Sequence, residues 1–262
     1  MAFIKHQGRI ISYRLLGATD KPLLMLAHPL GMNQTIWDDM LADLLPVCRV
    51  LTWDLPGHGA SAPWPKSNDA INPHDLADEA LVLAGLAASE RFHFVGTSIG
   101  GVVGQQLLSE HPERLLSATL TNTGAVIGTP ENWQIRANDV QSRGLTAMAA
   151  EIAPRWFGQQ ACQQQPDLLE GWQRVLSAVD DRSYALLCEM LGRTDFSAKL
   201  RDPQVSLLLI GGSDDLSTPP TTLQALAACS NGEEPVILAN TGHIPSVECP
   251  QAFSQLLLNR LK

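Results

Sequence analysis

The sequence predicts an α/β chain, a mostly parallel, doubly wound sheet interrupted by one helical insertion. Three observations carry this. Short apolar runs of strand length alternate with segments of helical spacing along most of the chain. Gly- and Pro-rich turns fall where those runs end. The alternation stops between about residues 128 and 200 and then resumes.

In order, IISYRLL (10–16) reads as a strand, and PLLMLAH (22–28) is the continuous apolar run of a strand buried on both faces. IWDDMLADLL (36–45) has helical spacing and ends at Pro46. CRVLTWDL (48–55) is a strand leading into the turn PGHGAS (56–61). From Pro73 to Ser89, Leu76, Ala80, Leu83 and Ala87 share one helical stripe, and Pro73 suits the first turn. RFHFVG (91–96) is a strand, residues 99–111 a helix closed by Pro112, and 115–123 a strand. Tryptophans, glutamines and helical periods dominate 128–200, the expected cap. A strand at 205–212, a helix near 220–228, a strand at 235–240 and a helix at 247–261 complete the pattern. The expected division is a core of 1–127 plus 201–262 and a helical cap of 128–200.

The chain has 262 residues, 45% of them hydrophobic and 17% charged, enough for a sizeable core and against extended disorder. A net charge of −9 without a basic stretch argues against nucleic acid or an anionic membrane as partner. It also means that any anion site must be built from local cations. The five cysteines, Cys48, Cys162, Cys188, Cys229 and Cys249, are odd in number and lack the spacing of a disulfide framework or zinc site. The first residues show neither an unbroken apolar h-region nor a small-residue cleavage site, and no run approaches ~18 apolar residues. The expectation is a cytoplasmic protein with no metal or cofactor and a small-molecule partner; the oligomeric state is left open.

Chemistry concentrates at GTSIGG (96–101), between a strand and a helix. Gly96-Thr97-Ser98-Ile99-Gly100 matches G-x-S-x-G in the context that a nucleophile elbow requires. The bend is so sharp that neighbouring side chains must be small, and it lifts the Ser98 hydroxyl clear of the sheet. The Ile99 N–H opens the helix and faces a developing oxyanion. In this arrangement the acid and base follow in the order Ser, Asp/Glu, His. Only two of the seven histidines follow Ser98. His111 lies at the far end of the Ser98 helix, roughly 20 Å away at about 1.5 Å per residue, which leaves His243. The acid should end a strand between them. Of eight aspartates in that interval, only Asp214 and Asp215 follow an apolar run. Such a carboxylate holds the imidazole tautomer and stabilises the imidazolium. The second oxyanion donor belongs to the loop after residues 22–28, where Pro29 has no N–H and Leu30 is the expected donor. His28 precedes Ser98, so it reads as a residue that orders this loop.

Across nearly its whole length the chain resembles the α/β-hydrolase superfamily, in DLPGHGAS, GTSIGG, GGSDDLSTPP and TGHIPSVECP. That family places its acid in G-x-x-D-x-x-x-P. Gly212, Asp215 and Pro219 fit, so the resemblance favours Asp215 over Asp214. Within the superfamily the chain is similar to the 3-oxoadipate enol-lactonases, in HPLGMNQTIWD (28–38), GHIPSVECP and the segment 131–157. In that segment the pattern of Trp133, Arg136, Gly144 and Arg155-Trp156-Phe157 looks like the lactonase cap. The family usually has Arg at the place of Pro56, Asn at the place of Gln134 and no His at position 28.

The resemblance implies a serine hydrolase with catalytic Ser98, Asp215 and His243, oxyanion donors Leu30 and Ile99, and substrate-binding Trp133, Arg136 and Trp156. The leading substrate is a small lactone bearing a carboxylate. A general small-ester carboxylesterase is the alternative, and C–C hydrolysis or perhydrolysis can use the same triad. A ligand-binding protein on the same fold is the non-enzymatic alternative.

Overall fold

The computed structural model describes residues 1–200, 205–230 and 233–261. The chain opens with an antiparallel hairpin of β1 (Ala2–His6) and β2 (Arg9–Leu16). Gln7 and Gly8 turn it, with φ of 44° and 79°, the positive pair of a type I′ turn. β1 was not expected from the sequence; its alternating half-buried pattern packs one face only. Then follow β3 (Leu23–Ala27), a 3-10 segment Gln34–Met40, α1 (Leu41–Leu44), β4 (Arg49–Trp53), α2 (Pro73–Leu86), β5 (Phe92–Thr97), α3 (Ile99–Glu110) and β6 (Leu115–Thr121).

Among the described residues five helices come next without a strand: α4 (Pro130–Arg143), α5 (Leu145–Ile152), α6 (Gln159–Gln164), α7 (Pro166–Ser177) and α8 (Asp181–Arg193). The sheet resumes with β7 (Ser206–Gly212), α9 (Pro220–Ser230), β8 (Val236–Leu238), α10 (Pro245–Glu248) and α11 (Pro250–Arg260). Among the described residues the sheet has eight strands in the order β1-β2-β4-β3-β5-β6-β7-β8, and all pairings from β4 through β8 are parallel. This is the α/β-hydrolase fold, a doubly wound sheet. Among the described residues no helix is long and apolar enough to cross a membrane.

The winding reverses at β3. The chain moves from β3 outward to β4 and then crosses back to β5 on the other side. The carboxyl ends of β3 and β5 therefore flank the switch-point crevice where open α/β sheets bind ligands. β3 is buried at every position, as its unbroken apolar run requires.

Besides β1, three elements depart from the sequence reading. The helix expected over 36–45 is a 3-10 segment followed by a single α-turn. Gln34, Trp37 and Met40 are buried at a spacing of three, the period at which 3-10 side chains eclipse. The Asn33 side chain caps the segment by accepting the Thr35 N–H at 3.0 Å. The strand expected over 235–240 spans Val236–Leu238. The helix expected over 247–261 is split at Cys249, which at φ −144° and ψ 58° lies outside the helical region that a following proline disfavours. The expected boundary at residue 201 lies outside the described residues.

The five inserted helices pack among themselves, α4 along α8 and α5 along α7. Gly192 permits the first contact, since a Cβ there would lie 3.2 Å from that of Trp133. The segment is tied to the core where the Asp180 N–H donates to Gly57 O at 2.9 Å and the Trp64 N–H to Ser183 Oγ at 2.9 Å.

Candidate active site

Ser98 sits between β5 and α3 at φ 58°, ψ −115°, a backbone region that side chains rarely adopt. The surrounding glycines follow from this bend. A Cβ on Gly96 would lie 2.1 Å from Gly100 O, and one on Gly100 would lie 2.3 Å from Ala27 O. The Ser98 N–H donates to Thr121 O at 3.0 Å, and the Thr123 hydroxyl donates to Ser98 O at 2.8 Å. The elbow is thus held on both sides while its hydroxyl faces a cavity of about 410 Å³.

That cavity brings Ser98, His243, Leu30, Trp133, Arg136 and Trp156 into one lining, drawn from both the core and the inserted helices. His243 Nδ1 bonds Asp215 Oδ2 at 2.8 Å, and both side chains are buried. Asp214 instead accepts from the neighbouring Ser213 hydroxyl at 2.7 Å. Of the two aspartates left open by position, Asp215 is therefore the one paired with His243. Its Oδ1 accepts the Ser217 and Thr218 N–H groups, and its Oδ2 also accepts from the Thr218 hydroxyl and Asn122 Nδ2. Burial alone would push the Asp215 carboxyl up. The charge and hydrogen bond of His243, with the Thr218 and Asn122 donors, outweigh it and hold the carboxyl at about 2.

The loop after β3 is built around two histidines. His28 Nε2 accepts the Leu55 N–H at 3.0 Å while Nδ1 faces Pro29 O at 2.8 Å. His58 Nε2 accepts the Gly31 N–H at 3.0 Å while Nδ1 faces Pro56 O at 2.8 Å. Accepting at Nε2 and facing a carbonyl at Nδ1 assigns both rings as neutral, with the proton on Nδ1. Burial pushes both down, His58 to about 3, with the neighbouring His28 adding to the effect. The rings lie 5.4 Å apart and tie the β3 loop to the β4 loop. His28 thus orders the loop as expected, and His58 does the same from the opposite side. The Met32 N–H closes a turn onto Pro29 O with Gly31 at φ 85°. This turn leaves Leu30 at the cavity wall.

Among the inserted residues, the Trp133 indole N–H donates to Ile127 O at 2.5 Å, which fixes the ring at the wall. Arg136 lies half-buried beside the Tyr184 hydroxyl. Arg155, an exposed lining residue, donates to Leu216 O at 3.0 Å. Position 56, where the enol-lactonases usually carry Arg, is buried away from the cavity lining, and its carbonyl serves His58.

Sequence reasoning missed Asn122, His58 and Tyr184. Asn122 directly follows β6 at φ 48° and bridges Asp215 to Gly242 O. An Asn directly after a strand was the only local signal, and its partners lie 93 and 120 residues away. Among the described residues, no group of three or more His, Cys, Asp or Glu could hold a metal ion.

The sequence model of the Alpha/beta hydrolase family matches residues 24–256. The 3-oxoadipate enol-lactonase 2 of Acinetobacter baylyi is 30% identical over 252 residues, covering 95% of this chain and 91% of that protein. The 3-oxoadipate enol-lactonase 1 of the same organism is 28% identical over 262 residues, 98% of this chain and 94% of that one. The crystal structure of an enol-lactonase from Burkholderia xenovorans superposes with a TM-score of 0.93 at 30% identity, covering 99% of both chains. A hydrolase from Pseudomonas aeruginosa superposes at 0.91 with 30% identity, covering 99% of this chain and 97% of that one. With the serine elbow on a β3–β5 switch point and this breadth of similarity, the chain belongs to the alpha/beta hydrolase family.

Proposed function

We propose that this chain is a serine hydrolase of small esters and lactones, with a carboxylated enol-lactone as its leading substrate class. The observation that carries the reading is the His243–Asp215 pair, 2.8 Å apart, whose histidine faces the same cavity as the strained Ser98. Support for the lactone comes from the enol-lactonases to which the chain is similar.

In the proposed reaction Ser98 Oγ attacks the acyl carbon while His243 takes its proton. Asp215 keeps the imidazole in one tautomer and stabilises the imidazolium. The N–H groups of Ile99 and Leu30 hold the oxyanion, reinforced by the positive end of α3. One such donor is worth about 2.7–4 kcal/mol. Collapse breaks the acyl–oxygen bond, and His243 returns the proton to the leaving oxygen, which in a lactone stays tethered to the acyl chain. Water then enters, loses a proton to His243, attacks the acyl-enzyme and frees Ser98. Residues 128–200 act as the cap, supplying Trp133 and Trp156 as flat walls and Arg136 as partner for a carboxylate. A cavity of about 410 Å³ suits a small ligand.

One observation favours the carboxylesterase alternative. Asp139 stands one turn from Arg136 in the same lining and offsets its charge. The odd number and the spacing of the five cysteines support a reducing, cytoplasmic setting.

The test is covalent labelling of Ser98 by an organophosphonate, followed by a screen over lactones and p-nitrophenyl esters. Labelling of wild type and not of Ser98→Ala, with turnover of either class, is the expected result. Folded protein that neither labels nor turns over favours a ligand-binding protein instead.

A further inference from the structure

His243 is reached from below by a residue outside its own charge pair. Glu248 closes α10, five residues beyond the histidine. Its Oε1 accepts the Gly242 N–H at 2.9 Å, and its Oε2 accepts the Gly158 N–H at 2.8 Å. The first amide belongs to the loop that presents His243. The second belongs to the inserted helices, 90 residues earlier, at the exit from the turn that carries Trp156. The two segments touch directly. The His243 N–H donates to Trp156 O at 2.8 Å. A Cβ on Gly242 would lie 2.5 Å from the Gly158 nitrogen. One carboxylate therefore stitches the cap backbone to the histidine loop, beneath both Trp156 and His243.

We infer that Glu248 is a positioning residue for the reaction proposed above, holding the His243 imidazole and the Trp156 wall in register by accepting one N–H from each segment. The two N–H donors reach different oxygens of the group, so a carboxamide in its place would set an NH2, which only donates, against one of them. The cradle is also costly to maintain. Burial pushes the Glu248 carboxyl up, the Gly158, Gly242 and Ile244 amides oppose this, and the nearby Asp215 charge adds to the burden. Asp214 Oδ2 lies against the same Gly158, and Cys162 and Cys249 feel the charge of the carboxylate. A solvated glutamate one turn further on would avoid all of this, so its place under the two loops calls for a role.

The inference rests on the hydrolase reading, and its test separates the two. Wild type, Glu248→Gln and Glu248→Ala are compared on p-nitrophenyl acetate, with folding followed by near-UV circular dichroism and thermal melting. Glu248→Gln should melt cooperatively and lose roughly ten- to hundredfold in kcat, the scale of a misplacement near 1 Å, with KM changed much less. Glu248→Ala should lose at least as much. A purely structural role would lower Tm and leave kcat per folded molecule within twofold of wild type, which overturns the inference. An inert, unlabelled wild type overturns the hydrolase reading itself. Should the variants fail to fold, amide exchange of the wild-type protein decides. The Gly158 and Gly242 amides should exchange at least a hundredfold more slowly than in free peptide, and exchange at the free rate at either one overturns the clamp.

Discussion

His58 Nε2 accepts the backbone N–H of Gly31 at 3.0 Å, so a neutral, buried ring holds the loop that carries Leu30. Protonation would destroy this bond by turning the acceptor into a donor. The His58 pKa is pushed from 6.5 down to about 3 in the fold, by burial first and His28 second. The sign follows directly: below pH 6.5 the unfolded chain takes up a proton that the folded chain refuses. Stability is therefore complete above about 6.5 and is lost as pH falls toward 3, on the order of a few kcal/mol. His28 acts in the same direction. Asp215, held at about 2, adds a loss that begins only below its unfolded value near 4. Urea midpoints should fall from pH 7.5 to pH 5, and His58→Leu should flatten that slope. Its overall stability should drop by about 1–3 kcal/mol for the stranded Gly31 amide.

Ser98→Ala should lower kcat by several orders of magnitude, leaving only the residual catalysis of binding and the oxyanion donors. Ser98→Gly should be equally inactive but more stable than Ser98→Ala by about 1–3 kcal/mol. The φ of 58° with ψ −115° strains a residue with a Cβ and is free for glycine. Parallel denaturation of the two variants checks this, and equal stability means that the elbow stores no strain.

Asp215→Asn should reduce kcat by roughly three to four orders of magnitude, because an amide beside His243 Nδ1 favours the wrong tautomer. Asp214→Asn should stay within a few-fold of wild type, since that carboxylate serves the Ser213 hydroxyl. A larger loss at Asp214, measured as kcat on one ester, reverses the assignment.

A lactone bearing a carboxylate should be turned over better than its neutral methyl ester. A charge-assisted hydrogen bond from half-buried Arg136 is worth about 1.5–3 kcal/mol, or roughly ten- to hundredfold in kcat/KM. Arg136→Ala should remove that preference and leave neutral esters little changed. A wild-type preference for the neutral ester transfers the assignment to the carboxylesterase alternative.

Local physics made much of this protein legible in its residues. The alternation of apolar runs and helical stripes, the breakers at Pro46 and Pro112, and the small residues around Ser98 each follow from short-range sterics or periodicity. Chain order, with the length of the Ser98 helix to exclude His111, singled out His243. The remainder depends on contacts between residues far apart in sequence, which no local period encodes. Strand position alone left Asp214 and Asp215 equivalent, and the family spacing of Gly212, Asp215 and Pro219 favoured Asp215; the tertiary fold turned it toward His243 and gave it Asn122, 93 residues away, as a donor. The same holds for β1, whose strand exists because β2 pairs with it, and for the 3-10 segment, which buries Gln34 against Asp54. His58 beneath Gly31 and Glu248 between Gly158 and Gly242 belong here too: a side chain's partner across 27 or 90 residues is decided by how the layers close, not by its neighbours in the chain.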